Sequence, residues 1–248
     1  MRDEHKFDRL VAFGEALSRI REGVDADLRR RSLDRERVLA LAVAVMDETL
    51  VRVGNPHYTR ENLTHGLTTL QDGHAEVSTA SVRLRFRGKA GKNVVLDIDN
   101  PRIARTMRRV RDLPGQELFQ YIDDEGEMRV VGSADVNAYL RELSGAEVVS
   151  KDFRTWGGSL LTAVELHRAR DAIDRDVAIT RAIEQAAAAL GNTPAVCKRA
   201  YVHPGIVELY RSGSFEDVWH EAAAMEPGRP YLRDDERVFL GVLRQLRI

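Results

Sequence analysis

The segment CKRAYVHPG contains Tyr201, a residue whose phenol can attack phosphorus, and two cations, Lys198 and Arg199, shortly before it. For a tyrosine taken alone, the expected state is a half-buried ring with its hydroxyl at the surface. The cations favour a second interpretation, because nearby positive charge stabilises a phenolate and attracts phosphate. Lys198 and Arg199 are then either phosphate contacts or supports of the helix, and the sequence leaves both roles open.

The residues around this tyrosine predict a short helix that displays it at one end. Thr193 can cap that helix, and Pro194 suits its first turn. The pair His203-Pro204 predicts its end, since a residue before proline avoids the helical conformation. Tyr201 is therefore expected in the last turn.

Hydrophobic periodicity predicts a mainly helical α+β protein. The first helix is expected to break near Gly23, and helical patterns resume after residue 100. Between these parts, a small antiparallel sheet or hairpin is expected over about residues 67–98. Two of its strands would flank a turn at 71–73, and two would flank a turn at 88–91.

One predicted strand of this sheet alternates apolar residues with arginines. Its three arginines fall on one face, which is expected to be a row of cations: Arg83, Arg85 and Arg87. Solvated arginine faces are common, so the row does not by itself indicate a ligand.

Composition and charge set broad limits on the protein class. The chain has 248 residues, 43% of them hydrophobic and 31% charged, which is typical of a globular protein. Its 38 Lys and Arg residues nearly balance 39 Asp and Glu, so net charge does not indicate a nucleic-acid partner. The longest apolar stretch, residues 38–46, is too short to cross a membrane, and no secretory signal is evident, so a cytoplasmic location without membrane contact is expected.

The chain lacks a Pro/Gly/Ser-rich linker or a repeat that would divide it. We therefore expect one domain over residues 1–248. Its internal sub-parts would be 1–98, with helices and the small sheet, and 99–248, which is helical.

Several other chemistries are poorly supported. The stretch GKAGK lacks the spacing, and the following Ser or Thr, of a phosphate-binding P-loop. The seven histidines form no i, i+4 pair, and Asp97 and Asp99 lie on a predicted strand where solvation or salt bridges are the ordinary state. A single cysteine, Cys197, excludes an internal disulfide and a multi-thiolate zinc site. We expect a mechanism without metal or cofactor.

Four stretches in order resemble the type IB DNA topoisomerases of the poxvirus and bacterial kind, within the tyrosine-recombinase-like superfamily. LVRVGNPHY resembles the segment that carries a catalytic arginine, here Arg52, and a DNA-contacting tyrosine, here Tyr58. RLRFRGKAGK resembles the hairpin whose turn carries the catalytic lysine, here Lys89.

The other two stretches lie nearer the C-terminus. KDFRTWGG resembles the start of the family's active-site helix, with a second catalytic arginine at Arg154 and a supporting lysine at Lys151. GNTPAVCKRAY resembles the segment that ends in the nucleophile, Tyr201. Each motif is short, but their common order over about 150 residues makes the resemblance specific.

The resemblance implies that the protein nicks one strand of duplex DNA through a 3′-phosphotyrosyl bond, lets the free end rotate and reseals the strand without ATP or metal. Arg52 and Arg154 would clamp the non-bridging oxygens of the phosphorane, because a guanidinium fork matches two oxygens. Lys89 would protonate the leaving 5′ oxygen and act as base in resealing. Asn192 would donate one further hydrogen bond.

Two features depart from the family's pattern. Many members carry histidine where this chain has Asn192, and an amide donates a hydrogen bond but carries no charge. Bacterial-type members are expected to carry asparagine. Members also have a β-rich DNA-binding domain before the catalytic one, and that domain is expected to be absent here. The resemblance further implies a bacterial, nucleoid-associated monomer.

Two alternatives remain open at the level of the sequence. A tyrosine site-specific recombinase uses a similar set of residues but assembles as a tetramer, and its arginine commonly follows a histidine where KDFR has lysine. A non-catalytic DNA-binding module would use Tyr201 for packing alone.

Overall fold

A computed structural model of the chain describes residues 5–246, which form two compact units. The terminal unit comprises the described residues of Met1–Arg19 and Asp152–Ile248, and the central unit comprises Ile20–Lys151. The described helices are α1 (His5–Leu28), α2 (Arg35–Thr49), α3 (Pro56–Asn62), α4 (Pro101–Arg111), α5 (Ser133–Ser144), α6 (Ser150–Arg168), α7 (Arg175–Ala189), α8 (Pro194–Tyr201), α9 (Pro204–Ser212), α10 (Phe215–Met225) and α11 (Asp234–Gln245). The described strands are β1 (Ala75–Val77), β2 (Val82–Arg87), β3 (Asn93–Ile98), β4 (Gln120–Ile122) and β5 (Met128–Val130).

In the central unit, an antiparallel sheet of order β1-β2-β3 positions a hairpin tip. Val82 pairs with Ile98 and Arg87 with Asn93, so β2 and β3 are joined by a short loop at residues 88–92. Along β2, buried and exposed residues alternate strictly, as the sequence predicts. The nearly continuous apolar run of α2 is buried, and this helix packs against α4, α5 and β3.

In the terminal unit, aromatic rings hold the N-terminal helix against α6. The Phe13 ring meets the Phe153 ring edge-on at 4.9 Å, and Trp156 lies 5.0 Å from Phe239 of α11. Gly14 allows this approach, because a Cβ there would lie 2.6 Å from two ring atoms of Trp156. The helix α6 is thereby fixed along its first two turns.

The α+β class is confirmed, and two local predictions are wrong. The first helix does not break near Gly23; it continues to Leu28, and the missing Cβ lets Leu143 pack within 2.5 Å of where that atom would be. Residues 67–74 form two short 3-10 turns rather than strands, because Thr69 closes the first turn through hydrogen bonds with both backbone groups of Gly66. The sheet is confined to residues 75–98.

A second, two-stranded sheet lies outside residues 75–98. The hairpin of β4 and β5 was not expected from the sequence. The single domain over 1–248, with its sub-parts 1–98 and 99–248, stays a prediction.

The start of α2 offers a test of local stability and its pH dependence. The Asp34 carboxylate caps the helix by accepting from the Arg37 amide at 3.1 Å. Burial acts to raise the pKa of Asp34, but hydrogen bonds from Ser32, Arg30 and that amide outweigh it and hold the pKa below its ordinary value. The ionised cap therefore stabilises the fold above about pH 4 and loses this effect as the pH falls through the native pKa.

We predict that Asp34→Ala lowers the free energy of unfolding by about 1 kcal/mol at pH 7. Urea denaturation at pH 7 and near pH 3 should show a smaller loss at the lower pH. Asp34→Asn keeps a cap oxygen without the charge and serves as the matched control, with a smaller loss than alanine at pH 7. An equal loss for Asp34→Ala at both pH values would contradict the linkage.

Candidate active site

Tyr201 occupies the last residue of α8, as the sequence predicts. Thr193 caps this helix by accepting from the Val196 amide at 3.4 Å, and Pro194 is its first residue. The next helix begins only three residues after Tyr201, at Pro204. The tyrosine is half-buried and stands at a sharp change of chain direction.

Arg154 of α6 lies against the face of this tyrosine. Its guanidinium carbon is 4.9 Å from the centre of the Tyr201 ring, within the range of a cation–π contact. Its Nη2 donates a 3.0 Å hydrogen bond to the Leu190 carbonyl at the end of α7. Only 4% of Arg154 is exposed. Its two contacts link this buried cation of α6 to α8 and to the end of α7.

The close approach of α6 to α8 depends on Gly158. A Cβ at this position would lie 2.9 Å from both the Cβ and the carbonyl oxygen of Tyr201. Arg154 is four residues before Gly158, so both residues are on the same face of α6. The glycine thus permits the contact that brings Arg154 to the ring.

Asn192 and Cys197 lie on either side of the start of α8. Asn192 is half-buried in the link between α7 and α8, and its backbone N–H donates to the Ala187 carbonyl at 2.9 Å. Burial raises the pKa of the Cys197 thiol to about 11, although the charge of Arg154 acts in the opposite direction. The thiol therefore stays protonated at neutral pH, which argues against it as the nucleophile.

The four proposed DNA contacts are more dispersed. Lys198 and Arg199 are exposed on α8, and Lys198 lines a shallow surface pocket with Asp176 and Arg211. Lys151 is exposed in the first turn of α6. Tyr58 belongs to α3, but its side chain lies outside the described residues.

In the central unit, the backbone around Arg52 is held by an adjacent turn. The carbonyl of Arg52 accepts from the Leu67 amide at 2.8 Å, and the carbonyl of Val53 accepts from Thr68 at 2.7 Å. Gly54, with φ of +97°, packs directly on Gly66, where neither position leaves room for a Cβ. The backbone at Arg52 is thus held tightly in place.

Lys89 lies at the tip of the β2–β3 hairpin, as the sequence predicts. The tip is a 3-10 turn over Lys89–Gly91, closed by a hydrogen bond from the Gly88 amide to the Lys92 carbonyl at 2.8 Å. Ala90 and Gly91 have φ of 60° and 71°, so the turn uses the left-handed region twice. The side chain of Lys89 is exposed.

The structure brings Arg52 and Lys89 together around one open cavity. This cavity has a volume of about 560 Å³, and its lining also includes Arg87, His65 and Asn55. Three cations and several neutral donors therefore face a space large enough for a phosphate group and its neighbours. This arrangement suits an anion better than a neutral ligand.

The remaining arginines of β2 do not form the row of bare cations that the alternation suggests. Arg83 is ion-paired with Asp97, and Arg85 with Glu76 at 3.2 Å. The third, Arg87, has its guanidinium against Gly91 at the hairpin tip. The positive charge of this strand is therefore concentrated beside Lys89.

The candidate residues thus fall into two sets. Arg52 and Lys89 share the cavity of the central unit, whereas Arg154, Asn192 and Tyr201 belong to the terminal unit. Sequence reasoning missed the part played by Gly158. Its signal was the pair of glycines in TWGGS inside a helical pattern, since glycine within a helix often marks a close approach.

None of the helices within residues 5–246 is both long enough and apolar enough to cross a membrane. The same part of the chain contains no group of three or more His, Cys, Asp or Glu side chains arranged to hold a metal ion.

Comparison with known proteins gives a consistent result. The sequence profile of the family described as eukaryotic DNA topoisomerase I, catalytic core, matches residues 1–218. The chain is 29% identical over 222 residues to DNA topoisomerase 1B of Acanthamoeba polyphaga mimivirus, covering 85% of this chain and 66% of the viral protein. It is 25% identical over 224 residues to the vaccinia virus DNA topoisomerase 1B and to the monkeypox virus DNA topoisomerase I, covering 86% of this chain and 67% of each. The chain thus spans about two thirds of the length of these relatives.

The glycine contact in α6 gives a test of how this part of the site is built. We predict that Gly158→Ala lowers the free energy of unfolding by about 1–3 kcal/mol, because the added methyl meets backbone and Cβ atoms that cannot rotate away. Urea denaturation would measure the loss. Gly228→Ala is the matched control in the same unit, since a Cβ there would meet nothing within 4 Å. Equal stability of both variants would contradict the close approach.

Proposed function

Because the chain belongs to the DNA topoisomerase I catalytic-core family, we propose that it is a type IB DNA topoisomerase. It cleaves one strand of duplex DNA, allows the free 5′ end to rotate and reseals the strand. The observation that carries the proposal is the contact between the Arg154 guanidinium and the Tyr201 ring at a helix end. This contact puts a permanent positive charge beside the tyrosine that would attack a phosphate.

The nucleophile in this proposal is the Tyr201 hydroxyl. Its oxygen attacks the phosphorus, a bond forms between tyrosine and the 3′ phosphate, and the bond from phosphorus to the 5′ oxygen breaks. The aryl phosphate ester retains the energy of the broken diester, so resealing needs no ATP. A phenol has a reference pKa of about 10, so attack near neutral pH requires help from neighbouring charge.

That charge comes from the two arginines. The pentacoordinate transition state carries one more negative charge than the diester, and this charge is spread over the non-bridging oxygens. Arg52 and Arg154 bind these oxygens, and Asn192 donates a further hydrogen bond to them. The fixed backbone at Arg52 and the buried position of Arg154 support this assignment, because preorganised donors stabilise a transition state best.

The leaving oxygen needs a proton, and Lys89 supplies it. Its position at an exposed hairpin tip, beside the cavity that Arg52 also lines, supports contact with a phosphodiester. In resealing, the same amine takes the proton from the attacking 5′ hydroxyl, as reversibility requires. Metal ions and ATP have no part in this scheme.

Duplex DNA is the proposed substrate, bound mainly through phosphates. Lys151, Lys198, Arg199 and Tyr58 are the proposed additional contacts, and phosphate contacts make binding strongly dependent on salt. We expect the protein to act as a monomer. The bacterial source and the cytoplasmic, nucleoid-associated location also remain predictions, and the relatives named above are viral.

We predict that Tyr201→Phe abolishes relaxation of supercoiled plasmid in EDTA without ATP, while binding to duplex DNA stays within about twofold, because only the nucleophilic oxygen is lost. Denaturing a reaction with SDS should trap a covalent adduct for the wild type and none for Tyr201→Phe. Tyr121→Phe, at a half-exposed tyrosine of β4, is the matched control and should relax plasmid normally.

The same experiment separates the alternatives. Relaxation by Tyr201→Phe would refute the assignment of the nucleophile. Absence of any wild-type adduct would favour a non-catalytic DNA-binding module, and recombinant products at paired sites would favour a recombinase. Dependence on magnesium or ATP would indicate a different class of enzyme.

We predict that Lys89→Ala slows cleavage of an ordinary phosphodiester about 10²–10⁴-fold, because general acid catalysis contributes this much. At a mapped cleavage site, replacing the 5′ oxygen with sulfur should restore most of the rate, since a thiolate leaves without a proton. Lys92→Ala, at the other end of the same turn, is the matched control and should retain wild-type rates. An equal defect of Lys89→Ala on both substrates would contradict the role of general acid.

A further inference from the structure

The hydroxyl of Ser159 on α6 forms two hydrogen bonds to the segment that follows the proposed nucleophile. Its oxygen donates to the Tyr201 carbonyl at 2.9 Å and accepts from the His203 amide at 3.0 Å. Ser159 is fully buried, with 0% exposed. The hydroxyl therefore bonds to the residue before Val202 as a donor and to the residue after it as an acceptor.

These bonds answer a local need of the backbone. The last carbonyls of a helix have no partner within the helix, and α8 ends at Tyr201. Val202 is extended, with φ of −107° and ψ of 124°, and only 2% of it is exposed. An unpaired carbonyl and amide in this partly buried turn would each be costly, so the serine hydroxyl fixes the conformation of the turn as well as completing its hydrogen bonds.

The segment is also held from its other side. The Phe7 ring packs on the His203 ring at 5.1 Å, and His203 Nδ1 accepts from the Gly205 amide at 3.0 Å to cap α9. The backbone from Tyr201 to Gly205 is thus fixed at both ends. Through its two hydrogen bonds, Ser159 joins this backbone to α6, the helix that carries Arg154.

We propose that Ser159 is a positioning residue, which holds the backbone at Tyr201 so that the phenol stays in line with the phosphodiester. The inference rests on the proposed function, and it deepens the account of the same site. The serine touches no reacting atom; it acts through the Tyr201 carbonyl. Because in-line geometry is needed both to form and to break the phosphotyrosyl bond, loss of the anchor should slow cleavage and resealing alike.

The test compares Ser159→Ala with two further variants. Ser159→Cys keeps the shape of the side chain and weakens both hydrogen bonds. Thr162→Val removes a buried hydroxyl of α6 that donates to the Gly158 carbonyl of the same helix. Single-turnover cleavage is measured on a 5′-end-labelled duplex containing a mapped cleavage site, with the adduct trapped by SDS. Resealing is measured by adding salt to the preformed adduct, and each rate is divided by the folded fraction of that variant.

We expect Ser159→Ala to lower both rates about 10–100-fold, because a shift of about 1 Å in a reacting group costs this much. Ser159→Cys should fall between the alanine variant and the wild type, and Thr162→Val should remain within about twofold of the wild type. Binding of the same duplex should change little for all three, so that the loss lies in the chemical step. This pattern distinguishes positioning from a general loss of stability.

Three results would overturn the inference: folded Ser159→Ala with wild-type rates, a change in cleavage without a change in resealing, or an equal defect in Thr162→Val. If Ser159→Ala does not fold, Ser159→Cys decides, and wild-type rates for that variant would refute the role. Failure of the wild type to form an adduct at Tyr201 would instead refute the proposed function. The two failures are therefore distinguishable.

Discussion

The approach of α6 to the end of α8 is the constraint on which the candidate site of the terminal unit depends. Gly158 allows the two backbones to meet, and Arg154, one turn earlier, is thereby brought over the Tyr201 ring. The Leu190 carbonyl adds the end of α7 to the same arrangement. A cation this deeply buried is stable only where polar groups and an aromatic face replace its water. The position of the guanidinium therefore depends on the packing of the three helices, and their packing in turn depends on the guanidinium.

The central unit also fixes the backbone that carries its candidate cations, but through different contacts. There the close approach is between Gly54 and Gly66, and the turn that holds Arg52 is closed by Thr69. Lys89 is displayed by a short turn with two left-handed residues rather than by a helix end. In both units a glycine contact fixes the backbone, and a long cationic side chain projects from it.

Local patterns were sufficient for much of the fold. The capped start and the end of α8, the alternation along β2 and the turn at Lys89 all depend on neighbours in sequence, and each was predicted from it. The order of four family motifs identified the candidate residues, whose roles stay predictions.

What the sequence did not reveal depends on contacts between distant residues. Gly23 predicts a helix break on its own, but packing of Leu143 on it keeps α1 continuous. The 3-10 turns of residues 67–74 carry a strand-like pattern, which the Thr69 hydrogen bonds override. Likewise, nothing in the local sequence predicts that the Ser159 hydroxyl bonds to the Tyr201 carbonyl and the His203 amide, which are 42 and 44 residues away.

The chain has a net charge of −1, and two ion pairs on the exposed face of the β1-β2-β3 sheet affect how strongly it would attract DNA. Arg83 and Arg85 already have carboxylate partners, so they would bind a phosphate only in competition with Asp97 and Glu76. The number of cations displaced from DNA on binding sets the steepness of the salt dependence, and these two arginines would add little to that number. On this sheet, the pairing would leave attraction for phosphate mainly to the cations beside the cavity, Lys89 and Arg87.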